Sequence, residues 1–295
     1  MAPKRLAVQV QFVRFVRFNF NCPKYSEVLL SYLQMIYTCY EMVRDCRADL
    51  PQGWAYFISE YVPLIRRLLA HYDPALSADG EFLNRVLLAV RRPESRMFES
   101  LEAAPERWFA AELRQRVLAE LPSRVPEMTV DLETVAAALE PLTVVEKQAA
   151  WFETMHYDPM ETGPMVKMEP KTVEKIRNRA AELIRAKAGN WNRALLAENG
   201  AALGRQAAEG GKDCLPVKAF LDLIDGRATW RRREEIETHV NRCWHCVDHF
   251  CRMLEIVEQL RGLQPLSDAA SEPFRKLLGI VAEKPPGWKR LLGRA

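Results

Sequence analysis

The sequence predicts an all-α fold made of several small helical domains, and three observations carry that prediction. Leu, Ala, Glu and Arg recur at intervals of three and four through most of the chain, the period of a helix. Long alternating runs of β-branched residues, which would mark strands, are rare. Glycine is scarce at 13 of 295 residues, which leaves few positions for tight turns. With 48% apolar residues, the chain has enough material for one large core or two to three small ones.

Taken in order, residues 1–39 form an N-terminal extension, in which "VQVQF" fits a short strand or an arm equally well; residues 1–25 receive no function. Residues 40–122 form a first helical domain. Within it, "YFISEYVPLIRRLLAHY" places Phe57, Tyr61, Leu64, Ile65, Leu68 and Leu69 on one stripe, most simply core. Pro122 and Pro126 cannot continue a helix smoothly, so residues 123–132 read as a linker. A second helical domain spans 133–195. "AENGAALGRQAAEGGKD" holds four of the glycines and makes residues 196–211 a flexible joint. A third unit covers 212–262. The tail, 263–295, carries two short amphipathic pieces, Phe274 to Val281 and Trp288 to Leu292, separated by Pro285 and Pro286; they are expected to dock on the preceding domains or on a partner.

A net charge of only +3 does not mark the whole chain as a nucleic-acid binder, so any such property must be local. No stretch approaches the roughly 18 consecutive apolar residues of a membrane helix. Arg14 and Arg17 interrupt the start before an apolar signal core forms. The expectation is a cytoplasmic protein without membrane contact. Seven cysteines, an odd number clustered near both ends, favour reduced thiols with a metal over a disulfide framework.

The chemistry concentrates in "HVNRCWHC", residues 239–246. His239, Cys243 and Cys246 are spaced by four and three, so one helix would present all three on one side. A tetrahedral structural zinc site needs a fourth ligand, and Cys214 is the nearest cysteine upstream. The segment between reads as a helix, a turn at "DGR" and a second helix; antiparallel packing could return Cys214 to the other thiols. The competing reading makes Cys243 and Cys246 core thiols or a redox pair, with His239 exposed. Trp230 and the leucines of "FLDLI" are expected to supply the small core that a metal supplements. His245, His249 and Cys251 are spare donors, with His249 the first substitute for a misassigned ligand. No HExxH, no neighbouring acid/base pair and no strand-rich thioredoxin pattern accompanies the cluster, so no enzyme is expected.

A cysteine, about two dozen residues containing "FLDLIDG", and then HxxxCxxC resembles the zinc-binding anti-sigma domain of bacteria over residues 214 to about 262. The resemblance implies a small helical module that holds a sigma factor or senses redox state, with Cys214, His239, Cys243 and Cys246 as Zn2+ ligands.

Upstream, residues 142–187 have the layout of a helix-turn-helix. Val173, Ile176, Ala180, Leu183 and Ile184 form a packing stripe on the last helix, while Lys171, Thr172, Lys175, Asn178 and Arg179 are left to meet a major groove or phosphates. From Lys167 to Arg193, eight Lys or Arg stand against three Glu, a local net of +5. "TVEKIRNRA" and its spacing back to Leu142 resemble the promoter-reading domain of extracytoplasmic-function sigma factors. Residues 40–74 and "RWFAAELRQRVLAEL" look like the start and the last helix of the sigma domain that binds core polymerase and the −10 element. The pattern departs from that family at Gly80, which interrupts the expected acidic polymerase-binding helix, and at Gly163 and Pro164 inside the first helix of the helix-turn-helix. It also departs at Lys167, which stands where the family usually has glycine.

The resemblances together imply a sigma-type transcription initiation factor, with RNA polymerase core and promoter DNA as partners and its own zinc domain contacting the sigma-like domains. The alternative is a sigma-derived interaction protein that sequesters a transcription partner without initiating at promoters.

Overall fold

The structure is a computed structural model that describes residues 37–93, 97–99, 105–121, 131–189, 193–208 and 213–280. Among these residues there are fifteen helices and no strand, so the fold is all-α. The VQVQF segment, residues 123–130 of the expected linker and the Trp288 to Leu292 piece lie outside the described residues.

The first group of helices is α1 (Cys39–Arg47), α2 (Pro51–Tyr72), α3 (Pro74–Ser77), α4 (Gly80–Arg91) and α5 (Glu106–Ala119). All six residues of the α2 stripe, Phe57 to Leu69, are buried. Tyr61 packs edge-on to Phe109 of α5 at 4.9 Å between ring centroids. Gly80 does not interrupt a helix as expected; it begins α4, where the Asp79 side chain caps the Glu81 N–H at 2.8 Å.

Pro63 lies inside α2 and has no N–H to give the Ser59 carbonyl one turn back. That carbonyl accepts instead from the Leu266 N–H at 2.9 Å, and the Ser59 hydroxyl donates to the Leu266 carbonyl at 3.3 Å. The tail is thereby fastened to α2. Its helix, α15 (Asp268–Leu277), sets Phe274 under the Arg66 guanidinium at 5.3 Å, so the first tail piece docks on the first group.

The second group is α6 (Leu132–Ala138), α7 (Val144–Thr154), α8 (Pro159–Val166) and α9 (Pro170–Ala188). Capping boxes start α7 (Thr143 with Glu146) and α8 (Asp158 with Glu161). The expected flexible joint is helical instead, in α10 (Arg193–Glu198) and α11 (Gly200–Ala208). Leu196, Leu203 and Ala207 are buried there, and α11 packs on α7 and on α14, introduced below. Gly200 serves close approach, since an added Cβ would lie 2.0 Å from the Thr154 carbonyl oxygen.

The third group is α12 (Val217–Ile224), α13 (Trp230–Val240) and α14 (Trp244–Leu260). Trp230 is no part of its core: it starts α13 with 79% of its surface exposed, and Phe220, Ile236, Val240 and Val247 fill the interior. Helix α14 runs between the other two groups, packing on α7 and α5 alike. Seventeen residues give it a length of about 25 Å.

Polar groups fasten α14 to both neighbours. The fully buried Glu255 carboxylate accepts from the Tyr72 hydroxyl at 2.7 Å, the Tyr157 hydroxyl at 2.9 Å and the Arg114 guanidinium. Asp248 accepts from the Trp151 indole N–H at 2.9 Å and pairs with Arg252 at 2.5 Å. Arg67 of α2 donates to the carbonyls of Gln259 at 2.6 Å and Arg261 at 3.0 Å, which satisfies the end of α14. Lys147 of α7 does the same for the end of α13 through the Asn241 carbonyl at 2.6 Å. No described helix is long and apolar enough to cross a membrane.

Burial works against the charge on Arg114, but Glu255 beside it more than offsets this, so its pKa is raised. Removing one partner strands the other in a dry interior. Glu255→Ala is expected to cost about 3–5 kcal/mol in urea denaturation. The double variant Arg114→Met, Glu255→Met should recover much of that loss, because no uncompensated charge remains.

Candidate metal centre and basic helix face

The segment HVNRCWHC does not form one helix. His239 lies in the last turn of α13, Asn241 to Cys243 reverse the chain, and Cys243 is the N-cap of α14 with φ −116°. Cys246 follows in the first turn of α14. The spacing of four and three therefore gathers the side chains across a helix junction, where the Cys243 N–H returns to the His239 carbonyl at 3.1 Å.

Cys214 precedes α12, and packing of α12 on α14 returns its sulfur to Cys243 at 3.8 Å. The ligand atoms of Cys214, Cys243 and Cys246 lie within 4.8 Å of one another, a group that could bind a metal ion. Sulfurs each about 2.3 Å from a central tetrahedral ion stand about 3.8 Å apart. His239 Nε2 lies 3.2 Å from Cys246 Sγ, on that sulfur's side of the group and outside the mutual distance of the three thiols. The Leu215 N–H donates to Cys246 Sγ at 3.5 Å. Burial first, then the neighbouring Cys243, pushes the Cys246 thiol up to about 12. Without a cation it stays protonated.

The spare donors have other work. His249 stacks on Phe220 at 5.3 Å, and burial pushes it down to about 4, so it is a neutral packing residue rather than the substitute ligand. His245 Nδ1 bonds to the Ala207 carbonyl at 2.7 Å, and Cys251 is fully buried.

The helix-turn-helix layout corresponds to α8, a turn at 167–169 and α9. Lys167 takes the left-handed conformation, φ 57° and ψ 44°, at the position where glycine would be unstrained. The Gly163 carbonyl accepts from the Met168 N–H at 2.9 Å, and a Cβ on Gly163 would lie 2.7 Å from the Met168 carbonyl oxygen. Gly163 thus lets the turn fold over the end of α8, which with Pro164 is only eight residues long.

Lys171, Thr172, Lys175, Asn178 and Arg179 are all exposed on α9, while Val173, Ile176, Ala180 and Ile184 are buried and Leu183 is half-buried. Arg179 reaches Glu146 at 3.4 Å, an exposed pair that contributes little. Arg177 corrects the charge count. It is buried, donating to the Ala149 carbonyl at 3.1 Å and to Thr162 Oγ1 at 2.8 Å, and so joins α7, α8 and α9 instead of facing solvent.

The sequence reading missed Arg177, Lys147 and the Glu255 network. Charge in a run of charges looks solvated; only a place on the apolar stripe, next to Ile176, separates Arg177 from its neighbours. Compared with protein-family models, curated proteins and solved structures, the chain matches none.

The purified chain is expected to hold one equivalent of metal. Cys243→Ser or Cys246→Ser should abolish it, and His239→Ala should weaken it less, as read by metal analysis. Binding requires thiolates and so releases protons; raising the pH from 6.5 to 8 should strengthen retention against a chelator.

Proposed function

We propose that the chain is a DNA-binding transcription initiation factor of sigma type, regulated by its own zinc module. In this reading the first helical group binds RNA polymerase core and the −10 region. The second reads the −35 region through Lys171, Thr172, Lys175, Asn178 and Arg179. Zn2+ is structural, held by Cys214, Cys243, Cys246 and His239, since four protein ligands leave no position for substrate. Oxidation of the thiols would release the ion and loosen α14 between its two neighbours.

One observation carries the reading: five polar and basic side chains stand exposed on α9 directly after a three-residue turn from a short helix, with their apolar counterparts on the buried side. That arrangement suits entry of α9 into a major groove, its charges on phosphates and Asn178 on a base edge. Shape and position support it more than net charge does.

The burial of α14 against both sigma-like groups favours a second reading, an interaction protein whose three parts stay together and sequester a transcription partner. Reconstituted transcription with core polymerase separates the two, because only the first predicts promoter-specific initiation. For the first, Lys175→Ala should weaken DNA binding about equally across sequences and lower the slope of log affinity against log salt by about 1. A slope unchanged by substitutions along this face would remove the DNA assignment.

A further inference from the structure

Between the second and third helical groups lies a groove of about 620 Å³, within the range of small-ligand sites. Its walls are apolar and come from three directions: Met165 from the end of α8, Leu223 and Ile224 from α12, Phe250 and Leu254 from α14. Leu223, Ile224 and Leu254 are only half-buried, so the wall is open to water as it stands. Such a surface gains free energy from any apolar body that fits it.

Two polar features give the groove a direction. At its floor, Gln148 is 4% exposed, and its Nε2 is buried without a hydrogen-bond partner. A buried amide left unpaired is destabilising, and a ligand oxygen would offset that cost. At the rim stand Lys167, Arg233 and Arg242, all exposed and without an ion pair among the described residues, against the single carboxylate of Glu237. The excess is cationic, at the edge of an apolar trough.

We propose that this groove binds a small amphipathic acid, an acyl or aryl body with a carboxylate head. The body lies on Leu223, Ile224, Phe250 and Leu254, the head meets Arg233 and Arg242, and the Gln148 amide donates to an oxygen of the ligand. The size of the groove sets the class. A protein partner needs on the order of 800 Å² of surface on each side, more than the lining of a groove of about 620 Å³ offers. An occupant would touch the α8–α9 turn through Lys167 and the zinc module through Arg242 at once, and so bridge the two.

The test uses the full-length chain with its metal. An anilinonaphthalene sulfonate probe is displaced by decanoate, below its micelle concentration, and by decanol, which has the same chain without the charge. Decanoate should displace the probe saturably and more tightly than decanol. Arg233→Glu with Arg242→Glu lies on the surface and should leave helicity and metal content unchanged. It should weaken decanoate about tenfold or more and leave decanol as it was. Gln148→Met, which keeps the volume, should weaken 10-hydroxydecanoate, whose second oxygen can reach the floor, several-fold more than decanoate. Absence of saturable displacement overturns the proposal, and so does displacement that is equal for acid and alcohol and indifferent to the charge reversal. Binding that requires a peptide in place of the acid also overturns it.

Discussion

The buried carboxylate of Glu255 is the constraint around which the helices are arranged. A charge in a dry interior is tolerated only when its lone pairs are filled, and Glu255 fills them from three helices or their ends: Tyr72 at the end of α2, Arg114 in α5 and Tyr157 before α8. Gln259, one turn further on, donates to the Tyr157 hydroxyl at 2.7 Å and extends the network. These directional bonds tie α14 to the first and second helical groups.

The candidate metal centre acts on the same helix from its other end. Cys243 and Cys246 sit at the start of α14, Cys246 nine residues or about 14 Å before Glu255, so an ion binding there and the network bear on one rigid rod. The small helical unit around the cysteines has few large buried side chains of its own, chiefly Phe220, Val247 and Phe250. An ion that ties Cys214 to the start of α14 supplements that core. The caps provided by Arg67 and Lys147 then join the unit to its neighbours through helix ends, where carbonyls would otherwise lack partners.

The helix-turn-helix shows how an irregular sequence is accommodated. Pro164 shortens α8, Gly163 lets the following turn pass within contact of it, and Lys167 bears the left-handed strain. Arg177 then ties α9 to the Ala149 carbonyl and to Thr162, so the turn is held by hydrogen bonds from beneath. The exposed face of α9 is consequently presented on a rigid support. Rigid presentation lowers the ordering cost of any groove contact.

Period was enough to establish the helical class, the α2 stripe and the buried side of α9. Each of these follows from local geometry: a helix repeats every 3.6 residues, and apolar positions on that period must be covered. The meeting of Cys214 with Cys243 needed α12 to pack on α14. What depended on distant partners could not be read. The glycine-bearing stretch after α9 is helical because α7 and α14 cover Leu196 and Leu203, and Trp230 is exposed because no described residue packs over the start of α13. Cys243 caps a new helix because the chain reverses at Asn241, whose carbonyl accepts from Lys147, 94 residues away in sequence. Whether a charged residue is solvated or buried is likewise a matter of what lies opposite it, and for Glu255, Arg114 and Arg177 only the tertiary structure supplies that neighbour.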